Sequence, residues 1–146
     1  MLTARGSAAF AVERWDEAEV LYLAALAEAD ALFRAFSAGR FVGRAEPAPM
    51  LVVATANLAE CLLCSGQLER AGRHLVELSR TLCDVIDREE APFSVREQCF
   101  VHLRPAVIEL VEKLPRAGWD QDASAREVER AKSVALGFLA EHTPKN

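Results

Sequence analysis

Two cysteines three positions apart, Cys61 and Cys64, come nearest to chemistry by type and spacing in this chain. A Cys-x-x-Cys pair serves as half of a zinc site or as a dithiol redox centre. A zinc site needs four ligands, and the further candidates Cys83, Cys99, His74 and His102 lie on separate segments. A redox pair works at the start of a helix, where the terminus stabilises the thiolate. This pair instead falls late in an apolar stretch with Leu58, Leu62 and Leu63, which suits thiols acting as small buried hydrophobes. We therefore expect no metal and no cofactor, with a Cys/His metal-binding or redox-sensing protein as the last alternative.

The acidic run Asp84, Asp87, Glu89 and Glu90 could do acid–base work only inside a cleft that separates its pKa values. It closes a helical stretch before Pro92, so the reading is a solvated helix end. The three histidines are far apart, and no HExxH, GxSxG, Walker loop or dinucleotide-binding turn occurs. Nothing sets a nucleophile beside a base and an orienting group, and the chain reads as no enzyme.

The bulk properties narrow the partners. A formal net charge of −5 argues against nucleic-acid binding, which concentrates Lys and Arg; the densest group, Arg34, Arg40 and Arg44, surrounds a loop. Apolar runs such as Met50 to Ala56 fall short of the ~20 residues of a membrane span, so no membrane role is expected. The chain meets Glu13 and Asp16 before completing the apolar region of a secretory leader, which gives a cytoplasmic expectation. There, cysteines stay reduced.

The elements follow from apolar residues recurring at helical spacing, with no period-two stretch. A first helix is expected over Leu2 to Arg14. A second starts with Asp16 as N-cap and Glu19 as its capping-box partner and runs to Phe36. Two glycines and two prolines make 39–49 a loop. A third helix covers Met50 to Ser65 and stops at Gly66 in the left-handed position; a fourth covers Leu68 to Asp87. The fifth, Phe93 to Leu114, contains Pro105 and should kink or split there. Ser124 with Glu127 should cap a sixth, ending near Glu141, with a frayed tail over 143–146. Trp119 lies in the polar connector, to pack over the third hairpin or stand exposed as an anchor. Helical spacing throughout makes the fold all-α, and short loops pair the helices as three antiparallel hairpins over about 2–36, 50–87 and 93–141, within one domain spanning 1–142.

A pattern is stated twice, 53 positions apart. Gly6, Ala18, Tyr22 and Ala25 repeat as Ala59, Ala71, Leu75 and Leu78. Small residues let two helices approach, and a bulky one fills the gap their crossing leaves. The stretch from Asn57 to Ala71, joined by Trp15 to Leu26, resembles the tetratricopeptide repeat. In that resemblance the small position falls on Gly6 and Ala59, and the following one on Ala9 and Leu62. The second-helix alanine falls on Ala18 and Ala71, and the bulky position on Tyr22 and Leu75, with Ala25 beyond. The family's period is 34 residues, so about 19 are extra, and its closing proline is replaced by Asp30 and Cys83.

The resemblance implies a right-handed α-α superhelix with a concave groove lined by the first helix of each hairpin. It places Thr3, Ser7 and Phe10, then Asn57, Glu60 and Cys64, then Gln98 and His102 along that groove. Of the family's carboxylate clamp only Asn57 is present. An extended or helical peptide with apolar anchors suits the groove better than an acidic tail. The expected function is an adaptor or chaperone-like protein–protein interaction module for an unidentified protein or peptide. The alternative is a self-associating structural protein, a homodimer whose groove a second copy fills.

Overall fold

A computed structural model describes residues 2–11, 14–40 and 43–144. Those residues form six α-helices and no strand: α1 (Leu2–Ala11), α2 (Trp15–Ser37), α3 (Pro47–Cys64), α4 (Leu68–Asp87), α5 (Phe93–Lys113) and α6 (Gln121–His142). Each packs on the next; α3 also touches α1 and α5, and α6 touches α4. Phe10 meets Trp15 edge-on across the α1–α2 corner. Phe93 meets His142, so α5 and α6 run antiparallel.

Glycine gives the first hairpin its closeness. A methyl at Gly6 would lie 2.7 Å from the Tyr22 ring, and the Tyr22 hydroxyl donates to Ser7 Oγ at 3.2 Å. The other repeat positions, Ala18, Ala25, Ala59, Leu62, Ala71 and Leu75, are all buried. The second tight approach follows no repeat position. A methyl at Gly72 would lie 2.5 Å from Trp119 Nε1, because the indole lies half-buried across α4. Trp119 therefore packs on the second hairpin and on the apolar cluster that Leu110 and Leu114 of the third share with it.

Several helix ends differ from the sequence expectation, each for a physical reason. The expected first helix runs on to Arg14; α1 ends at Ala11, and residues 12 and 13 lie outside the described ones. Asp16 does not cap α2. The Ala18 N–H bonds the Arg14 carbonyl at 2.9 Å, so the turn closes earlier, while Glu19 reaches across to Arg70. α3 starts at Pro47 rather than Met50, because prolines fit a first turn whose N–H groups have no intrahelical partner. The N–H of Ala48 is satisfied from outside by Gln98 Oε1 of α5, at 3.0 Å.

α6 starts at Gln121, capped by Asp120 Oδ1 accepting from Ala123 N at 2.7 Å. Glu127 is buried and paired with Arg80 instead of Ser124's turn. Pro105 does not split α5. Pro105 and Val101 are both exposed, and the Val101 carbonyl is the one that loses its helical donor to the proline. Gly66 stops α3 as expected, at φ +80°, with Gln67 N bonding the Leu62 carbonyl at 2.8 Å. Thr143 and Pro144 follow α6 without helical structure, and residues 145 and 146 lie outside the described ones.

α3 is the apolar centre. It is long and apolar enough to cross a membrane by length and composition, yet 61% of that window is buried inside the fold. Polar ties close the far end: Arg96, itself buried, donates to the Ile86 carbonyl at 2.7 Å and to Glu141 at 3.2 Å.

Gly72→Ala is expected to cost about 1–3 kcal/mol of stability in urea denaturation, because the Trp119 indole must move. In a Trp119→Ala background the same change should be neutral or stabilise by up to ~1 kcal/mol from helix propensity.

Candidate functional site

The residues expected along a groove divide between two situations. On α3, Asn57, Glu60 and Cys64 follow one another at helical spacing on the side left partly open. The same three-and-four spacing carried backwards reaches Val53 and Met50, which are 54% and 39% exposed. Asn57 is half-buried and makes no side-chain hydrogen bond among the described residues. Glu60 is already occupied: Arg116, just beyond α5, grips both its oxygens at 2.7 and 2.8 Å. That hydrogen bonding holds the Glu60 carboxyl below the usual carboxylate range, against the opposing effect of burial.

On α1, Thr3 is half-buried, and Ser7 accepts the Tyr22 hydroxyl. Phe10 is half-buried and committed to Trp15, with ring centroids 4.8 Å apart. On α5, Gln98 serves the start of α3, and His102 is half-buried one turn on. The expected groove residues thus form one stripe on α3, flanked by side chains with internal duties.

A larger opening lies at the upper end of that stripe. Beside the start of α1, the second half of α2 and the first half of α3 share a cleft of about 630 Å³. Leu2 and Thr3 close one end, Ala25 and Ala29 form a wall, and Met50 and Val53 project from α3. Glu28, Arg44 and Glu46 supply charges of both signs at the edge. A second cleft of about 580 Å³, between α2 and α4, is more polar, with Asp30, Arg34, His74 and Glu77. There Arg34 pairs with Asp30 at 2.8 Å, and burial lowers the His74 pKa.

The groups that could do chemistry are placed for packing. Cys61 is buried, its thiol pushed up to about 11 by burial and next by Glu19, and it donates to the Trp15 carbonyl at 3.4 Å. Burial likewise pushes Cys83 to about 11 and Cys99 to about 12. Cys64 is exposed and donates to Glu60 at 3.7 Å; its thiol is raised by burial and by that carboxylate. Among the described residues no three His, Cys, Asp or Glu side chains could hold one metal ion. Asp84, Asp87, Glu89 and Glu90 are all exposed.

Residues 1–142 match the model of a family described as a protein of unknown function (DUF2753), and the chain belongs to that family. No curated protein and no solved structure matches it.

Two measurements test the site's electrostatics. With a thiol reagent, one cysteine per folded chain should react, rising to four in denaturant, and Cys64→Ser should remove the folded-state signal. Glu60 has a depressed folded pKa, so its contribution to stability is present above the ordinary carboxylate pKa and lost as pH falls through the lower folded value. Arg116→Ala should move the Glu60 titration upward in a carboxyl NMR experiment. It should also reduce the acid sensitivity of folding between those two pH values.

Proposed function

We propose that this DUF2753 protein is a non-enzymatic adaptor, a protein–protein interaction module that holds a helix or extended peptide in the cleft beside α1. One observation carries the reading: beside Leu2 and Thr3, α2 and α3 share a cleft walled by Ala25 and Ala29, into which Met50 and Val53 project. A partner helix fits along that cleft. It reaches Met50 and Val53 with apolar side chains at i, i+3 or i+4, and i+7. Methionine adapts to differently shaped anchors, which suits docking without covalent chemistry.

The stacking we infer is tetratricopeptide-like, with α1, α3 and α5 forming one layer. Contacts of α3 with both α1 and α5 support it. Free cysteines, three of them buried, fit a reducing cytoplasmic setting.

The test is affinity capture from cytoplasmic extract on the immobilised chain, comparing wild type with Val53→Glu and Met50→Glu. Both positions are exposed, so helicity by circular dichroism should stay unchanged. A protein retained by wild type and lost with either variant supports the cleft. A protein retained equally by all three refutes it.

A further inference from the structure

The outer flank of α5 carries a second unpartnered surface of a different kind. Glu97, Val101, Arg104, Ile108 and Val111 follow one another at spacings of four, three, four and three, and all five are exposed. That average of 3.5 residues is the repeat of a helix–helix seam. The opposite side of α5 is spent inside the fold, where Val95, Cys99, Leu103, Ala106 and Leu110 are buried. Gln98 reaches α3 from one flank, and on the other Val101 and Arg104 border a shallow cleft with Lys132 and Ala135 of α6. Phe93, Val101, Ile108 and Val111 keep between 45% and 57% of their surface in water, too much for side chains the fold itself covers.

Charge selects what covers them. Among the described residues neither Glu97 nor Arg104 has an ion-pair partner. They stand seven residues apart on one seam. A second α5 laid antiparallel, with the two-fold axis beside Val101, brings Glu97 of each copy against Arg104 of the other. The same register sets Phe93 against Ile108 twice, with Val101 and Phe100 of both copies at the centre. A parallel pairing in register would stack Glu97 on Glu97 and Arg104 on Arg104, like charge on like. We propose that a second copy of this chain covers the seam, forming a closed two-fold dimer through antiparallel α5 helices.

Sedimentation equilibrium from about 1 μM to about 300 μM tests this. The full chain should pass from one to two copies across that range. Arg104→Glu sets acid against acid twice and should raise the dissociation constant roughly tenfold or more. Glu97→Arg alone should do the same. The double variant, Glu97→Arg with Arg104→Glu, restores both pairs across the axis and should return to within about threefold of wild type. These positions are exposed, so circular dichroism should match wild type throughout. A wild type that stays single throughout overturns the proposal. So does a single reversal that dimerises like wild type, or a double variant no better than the singles. Val53→Glu, at the first-hairpin cleft, should leave the dimer unchanged, which separates the two readings.

Discussion

The burial of α3 is the constraint on which the other helices depend. Eleven of its eighteen residues are buried, so no face of it except one stripe is fit for water. A fully buried leucine such as Leu58 or Leu62 contributes roughly 1.5–3 kcal/mol, and that gain exists only while neighbours cover it. α2, α4 and α5 pack around it, and α1 reaches it at the edge. Gly6 and Gly72 matter through the same requirement. Each removes a methyl where an aromatic ring must come close to a helix, so the covering elements can close. The stripe left over, from Met50 to Cys64, is what the covering helices cannot reach.

Six helices were legible because their signals are local. Apolar spacing, the Gly66 stop and the loop rich in glycine and proline act within a few residues of themselves. The helix starts were not. Asp16 and Ser124 carry good capping side chains, yet Glu19 and Glu127, their expected partners, are drawn to Arg70 and Arg80 on α4. A capping box satisfies a turn only when no stronger partner competes for its carboxylate. Gln98 capping α3 from 50 residues away has no local trace at all.

The candidate site shows the same division. The spacing of Asn57, Glu60 and Cys64 was readable as one side of a helix. Its apolar upper half, Met50 and Val53, was hidden because starting α3 at Met50 makes that residue a boundary rather than a wall. The cleft itself joins Leu2 and Thr3 to residues of α2 and α3 far along the chain, a juxtaposition that no local spacing shows. Arg116 closing over Glu60 joins residues 56 apart and turns a groove carboxylate into a brace.

Polar satisfaction separates the middle of the fold from its two open surfaces. Between α3 and α5, Gln98 is paired with Ala48 and Glu60 with Arg116, so an incoming chain would have to displace bonds already made. Displacing them costs the bonds already made before any new contact is gained. At those two surfaces no such bonds stand in the way. Beside Leu2 and Thr3, α2 and α3 leave a cleft with apolar walls, and the outer flank of α5 leaves an apolar seam in which Glu97 and Arg104 have no ion-pair partner among the described residues. The first has charges of both signs at its edge. The second has a charge order that its own copy answers when reversed. The middle of the fold thus has its polar groups paired, while these two surfaces carry the apolar area that the proposed partner and the proposed second copy would cover.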